Sequence, residues 1–170
     1  MKNPLLVNAL ELLRRPGSEK LITIEVAGSD IGLGDPRLVA DAPIEVDLLC
    51  SSLNDSVVVE GVVRAVFHGE CRRCLAPVTG RLDVEVRELY QQTITDPDAF
   101  PIENDQIDLK LMVRESVLLD LPESPVCRPD CRGLCPTCGV DRNVQTCSCT
   151  APTTDPRWAA LDTLRDQLSD

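Results

Sequence analysis

Six cysteines fall within 23 residues in the stretch "CRPDCRGLCPTCGVDRNVQTCSC", Cys127 to Cys149. Such density admits disulfides, a metal or a redox centre. Within it, "CPTCG" has the form of a metal knuckle. Two residues between Cys135 and Cys138 let a single turn aim both sulfurs at one ion, and Gly139 can take the positive φ that turns backbone N–H groups toward the thiolates. Cys147 and Cys149 could complete a tetrahedral four-thiolate site. Their Cys-x-Cys spacing is tighter than the usual second pair, so one of them could be spare, with Cys131 in its place. A second knuckle, "CRRC", holds Cys71 and Cys74 and has no local partners. Cys127 and Cys131 are left over in the tail and are proposed to join that pair in a second site. Otherwise Cys71 and Cys74 are unmetallated surface thiols.

Four thiolates suit Zn²⁺ best, in one or two structural ions. An iron–sulfur cluster would accept the same ligands. Disulfides fit less well, because the chain reads as cytoplasmic, where thiols stay reduced. Asn8 and Glu11 interrupt the apolar run of a signal peptide, and no stretch approaches the ~20 apolar residues of a membrane span.

The elements that must position these sulfurs are mostly strands. Ile22, Ile24 and Val26 alternate with polar residues, as do Ile44, Val46 and Leu48, then Val57, Val59, Val63, Ala65 and Phe67, then Leu82, Val84 and Val86. "SLNDS" reads as a turn, and "CRRCLAP" lies at a hairpin between two strands. Residues 92–107 read as an acidic loop. A helix is predicted from Asp108, capped by that residue, stapled by Ile107 onto Met112, carrying Leu109, Met112, Val113 and Val117 on one face and ended by Pro122. The expected fold is α+β: an antiparallel sheet, curled toward a barrel, covered by a helix. The expected divisions are a sheet-plus-helix domain over 1–125, a cysteine-rich tail over 126–150 and a C-terminal helix over 151–170. In that last helix Trp158, Leu161, Leu164 and Leu168 form a stripe for docking on the chain itself or on a partner.

The formal charge of −11 disfavours non-specific nucleic-acid binding and favours a basic partner. Residues 83–123 alone hold eleven acidic and three basic side chains, either a solvated face or a docking face. Two small basic spots, Arg14–Arg15 and Arg72–Arg73, are candidate phosphate contacts, and Trp158 is a candidate partner contact. The single histidine, His68, reads as a surface residue on a strand. No phosphate loop and no Cys–His or Ser–His pair is present, so nothing points to catalysis.

The segments "ELLRRPGS", "GECRRCLAPV", "IDLKLMVRESVLLDLP", "CRPDCRGLCPTCG" and "DPRWAALDTL", in that order, resemble the actinobacterial type of the YceD-like family, named for large ribosomal RNA subunit accumulation. The resemblance covers nearly the whole chain. It implies a non-catalytic bacterial cytosolic factor for large-subunit assembly and 23S rRNA accumulation. Its partner would be a large-subunit ribosomal protein or the precursor rRNA particle, with no membrane and no small-molecule substrate. Cys71, Cys74, Cys127, Cys131, Cys135 and Cys138 match motif positions. Family members often carry Asn-Leu-Asn after the knuckle; here "VDRN" keeps only Asn143. A redox-switched, zinc-binding chaperone-like protein is the alternative suggested by the C-terminal cysteine block.

Overall fold

The structure, a computed structural model, describes residues 3–39, 42–150, 158 and 161. Seven strands form one open sheet in the order β1-β7-β6-β5-β4-β3-β2. They are β1 (Leu6–Asn8), β2 (Glu19–Val26), β3 (Ile44–Ser52), β4 (Ser56–Glu70), β5 (Pro77–Gln91), β6 (Phe100–Glu103) and β7 (Gln106–Asp108). Among the described residues two helices accompany them, α1 (Leu10–Arg14) and α2 (Lys110–Asp120), with a 3₁₀ turn at Gly28–Ile31. The sheet curls into a half-barrel. Its two edges approach each other closely enough for the Lys20 ammonium on β2 to donate to the Asn8 carbonyl on β1 at 3.0 Å.

Alternation explains the four long strands. β3 buries Ile44, Val46, Leu48, Cys50 and Ser52 and turns the intervening residues outward. β4 buries Val57, Val59, Val63 and Ala65. In this series Gly61 stands where the curl brings β3 closest: a Cβ there would lie 2.2 Å from the Asp47 carbonyl oxygen. Gly80 likewise leaves room for the ring of Phe67, its partner across the β4–β5 pair. The "SLNDS" turn joins β3 to β4, closed by Leu53 N–H donating to the Ser56 carbonyl. His68 is exposed on β4.

Helix α2 lies in the curl against β4 and β5. It buries Met112, Val113 and Val117 beside Leu109, Ile107 and the fully buried Tyr90. The helix starts two residues later than expected, at Lys110 with Leu109 as its N-cap and no side-chain cap, although the Asp108 Oδ1 accepts the Lys110 N–H at 2.9 Å. The helix stops two residues before Pro122, a residue that cannot continue it.

Two expectations need correction. The sheet is mixed, because β5 and β6 pair in parallel, Tyr90 opposite Phe100. The supposed loop over 92–107 also contains the β6–β7 hairpin. Asn104 and Asp105 both take positive φ at its two-residue turn, the geometry that matches strand twist. This hairpin carries the sheet to β1, so Ile107 is a strand residue opposite Val7. The predicted C-terminal helix lies outside the described residues except for Trp158 and Leu161, which are exposed.

Gly61→Ala should lower stability by more than about 2 kcal/mol, because its Cβ would strike backbone on β3. Gly32→Ala should cost only about 1 kcal/mol, since its Cβ meets nothing and only its left-handed φ is at issue. Urea midpoints of the two variants check this; equal losses would contradict the close approach.

Candidate metal centre

β4 and β5 form a hairpin of two fifteen-residue strands, and the first cysteine pair sits at its tip. The Leu75 N–H donates to the Cys71 carbonyl at 2.8 Å, closing a knuckle. In the tail, the Gly139 N–H donates to the Cys135 carbonyl at the same 2.8 Å. The two pairs are thus built alike. Both need a left-handed residue after the second cysteine, which is Gly139 at φ 74° and, against type, Leu75 at φ 61°.

After α2 the chain passes over this tip. Pro125 accepts the Arg72 N–H at 2.9 Å, and the Arg73 carbonyl accepts the Leu134 N–H at 2.8 Å. The Arg73 guanidinium donates to the carbonyls of Pro129 at 3.1 Å and Cys131 at 3.0 Å. Gly133, at φ 69°, is required beneath it: a Cβ would lie 2.7 Å from the Arg73 carbonyl oxygen. Val126, Leu134, Ala76 and Val78 pack around Cys71, Cys74 and Cys131.

This path brings the eight clustered cysteines together as two quartets, Cys71–Cys74–Cys127–Cys131 and Cys135–Cys138–Cys147–Cys149. In each quartet the sulfurs lie within 4.8 Å of one another. Cys131 belongs to the first, and both members of Cys-x-Cys to the second. A tetrahedral ion with metal–sulfur bonds of about 2.3 Å holds its sulfurs about 3.8 Å apart. The Cys71 and Cys131 sulfurs are 3.8 Å apart, and those of Cys74 and Cys127 3.6 Å. A disulfide would need about 2.05 Å, and all nine cysteines are free. The two quartets can therefore hold metal ions.

The electrostatics fit a cation. The Cys127 N–H, helped by those of Arg73 and Cys74, lowers the Cys71 thiol to about 6 against the opposing effect of burial. The N–H groups of Cys138 and Thr137 do the same for Cys135, also to about 6. Burial raises Cys131, but the Asn143 amide, the Gly133 N–H and neighbouring thiols outweigh it and leave it below its ordinary value. Burial and the adjacent sulfurs push Cys127 up to about 12. The neighbouring Cys138 sulfur, then burial, does likewise for Cys149, again to about 12. Lowered thiols, Cys71 and Cys131 in the first quartet and Cys135 in the second, thus stand among sulfurs that cannot all ionise together. A divalent cation removes that repulsion. Cys50 stands apart, buried in the sheet core, where burial raises its thiol to about 11.

The candidate contact residues do not gather in one place. Arg14 and Arg15 are exposed at the end of α1, near the β3–β4 turn, where the Gly17 N–H donates to the Ser52 carbonyl. Arg72 is exposed at the opposite end of β4, about 45 Å away along the strand at about 3.3 Å per residue. Arg73 is occupied by the tail. Asn143 had no role assigned from its sequence position. It proves to donate its side-chain amide to the Cys131 sulfur at 3.4 Å.

Comparison with known proteins identifies the family of the chain. Residues 59–165 match the family model described as "Large ribosomal RNA subunit accumulation protein YceD". The chain belongs to the YceD family. The match takes in most of the β4–β5 hairpin, α2 and both quartets. The uncharacterized protein Rv2926c of Mycobacterium tuberculosis is 36% identical across 97% of this chain and 87% of its own length. The chloroplastic YCED homolog 1 of Arabidopsis thaliana, named as a large ribosomal RNA subunit accumulation protein, is 32% identical across 41% of this chain and 22% of its own length. YlbN of Bacillus subtilis is 31% identical across 57% of this chain and 59% of its own. No solved structure matches significantly.

Elemental analysis of the reduced protein should find two ions per chain, one for each quartet. Cys74→Ser should reduce the count to one, and Cys50→Ser should leave it at two. Loss of an ion from the Cys50 variant would contradict the assignment.

Proposed function

We propose that this YceD-family protein is a non-catalytic factor of large ribosomal subunit assembly, required for accumulation of 23S rRNA in the cytoplasm. Family membership across the cysteine hairpin and tail carries this reading, because the family is named for large ribosomal RNA subunit accumulation. Each quartet holds a structural Zn²⁺ ion. Four thiolates leave no coordination position for water, so the ions shape the tail and take no part in hydrolysis. In this reading residues 1–125 form the docking scaffold, 126–150 the metal-held tail and 151–170 a terminal helix bearing Trp158.

The partner is a basic ribosomal protein of the large subunit, met alone or on the precursor particle. Charge supports this choice over naked RNA. On the outer face of the sheet Arg64 pairs with Asp47 and Asp83, Arg81 with Glu45 and Asp83, and Arg87 with Glu60. These arginines are thereby neutralised in cross-strand pairs. Among the described residues, Asp96, Asp98, Glu103, Glu115, Asp120 and Glu123 make no ion pair, and that surplus is available to a cationic surface. Arg14, Arg15 and Arg72 supply the local phosphate contacts where the particle is RNA.

A second reading draws on one contrast. The first quartet has a single exposed sulfur, whereas in the second Cys138 and Cys149 are exposed and Cys147 is half-buried. Oxidation would eject the more open ion first, as in a redox-switched, chaperone-like protein. Peroxide titration that releases zinc and switches on suppression of client aggregation would favour this reading over the assembly factor.

Low-salt capture from growing cells should recover large-subunit components. Binding of a purified basic large-subunit protein should weaken at least tenfold as salt rises from 50 to about 300 mM. Salt-insensitive binding, or none at low salt, would refute the acidic docking face.

A further inference from the structure

The segment between Cys138 and Cys147 closes the second quartet, yet its middle residue serves the first. Asn143 donates from Nδ2 to the Cys131 sulfur at 3.4 Å. Its Oδ1 accepts the Arg132 N–H at 2.8 Å and the Arg128 guanidinium at 2.9 Å. Its own N–H and Nδ2 are both held by the Asp141 Oδ1, at 2.9 and 2.7 Å. One amide group is therefore fixed from both of its ends, with its N–H aimed at a ligand sulfur.

The same segment is joined to the link between the quartets along its backbone. Arg142 N–H donates to the Gly133 carbonyl at 3.0 Å, Cys135 N–H donates to the Val140 carbonyl at 2.8 Å, and Leu134 and Asp141 form an isolated bridge. Only three residues separate Cys131 from Cys135, and Gly133 among them is pinned against Arg73. These contacts exist only while the 139–146 segment is folded. That segment holds almost no apolar anchor, since Val140 is half-buried and Val144 is exposed. Its two ends are the ligands Cys138 and Cys147, so an ion in the second quartet is what closes it.

We propose that the two metal sites form one cooperative unit, and that Asn143 is the positioning residue that couples them. The inference rests on the reading of both quartets as metal sites and adds the interaction between them. Binding at the second quartet folds the 139–146 segment, which sets the Asn143 amide against the Cys131 thiolate. An N–H donor on a ligating sulfur stabilises its charge and orientation, and partners of this kind typically change metal affinity about 10- to 100-fold. Coupling is reciprocal, so an ion in the first quartet strengthens the second by the same factor. The tail is thus loaded more steeply than two independent sites would be. Half-loaded chains are fewer at limiting metal than independent binding would give, and loss of the more exposed ion loosens the clamp on the β4–β5 tip.

The test uses the reduced, metal-free full chain, titrated anaerobically with Co²⁺ against a competing chelator, with thiolate-to-cobalt absorption as the readout. Two variants each retain one quartet, Cys138→Ser/Cys149→Ser for the first and Cys74→Ser/Cys127→Ser for the second. The product of the two stepwise association constants of the native chain should exceed the product of the two single-quartet constants by about tenfold or more. Asn143→Ala, which keeps all eight ligands, should bring that excess close to one. Placed in the chain that lacks the second quartet, Asn143→Ala should change nothing further, because the amide is no longer held there. Far-ultraviolet circular dichroism checks that the sheet persists in every variant. Independent sites in the native chain, or an Asn143→Ala effect of equal size in both backgrounds, would overturn the coupling and leave the metal reading intact. If no Co²⁺ binds to the native chain, the metal reading itself fails, and the coupling with it.

Discussion

The tail from Val126 to Thr150 contains no helix or strand, and its few large apolar side chains cannot form a core. What it brings together is sulfur. Four side chains drawn from a hairpin tip and from a passing loop converge to the spacing of a tetrahedral ion, and a second set of four repeats the arrangement beside them. Without an ion, the sulfurs of each set repel one another as they ionise. With one, the same closeness becomes a cross-link between distant parts of the chain. Structural zinc in small finger peptides contributes on the order of 10–16 kcal/mol, comparable to the whole stability of a small domain.

The half-barrel gives these cysteines a stiff support. The β4–β5 ribbon extends from the α1 end of the molecule to the cysteine tip, held by fifteen paired positions. Its inward face is aliphatic, in keeping with a chain that has few aromatic residues. Its outward face is laced with ion pairs that contribute little stability singly but neutralise most of the sheet's arginines. The acidic surplus lies beyond them on the 92–99 loop, the β6–β7 hairpin and α2. The acidic surface and the cysteine tail therefore occupy different parts of the fold.

Arg73 and Asn143 show how single residues acquire roles from the chain that crosses them. In sequence Arg73 is one of a basic pair open to phosphate. In the fold its guanidinium and its carbonyl both hold the tail, so substituting it would disturb the first quartet before any contact with RNA. Asn143 is one polar residue in a polar loop, and its side-chain amide meets a sulfur twelve residues earlier.

The four long strands, the cysteine knuckles, the stop of α2 just before Pro122 and the acidic balance were all legible in the sequence by itself, because each is a local property: a period of two, a spacing of three, a residue that cannot donate, a sum of charges. Family membership was legible for the same reason, since its motifs are short and ordered. Tertiary structure alone decided the rest. The β6–β7 hairpin lay hidden because Pro101 and its acidic neighbours look like loop, and only pairing with β1 and β5 makes them strands. The parallel β5–β6 contact, the need for glycine at Gly61 and Gly133, and the donation from Asn143 to Cys131 all arise where segments remote in sequence come within van der Waals or hydrogen-bond distance. Such approaches are set by the path of the backbone, which no local pattern of residues encodes.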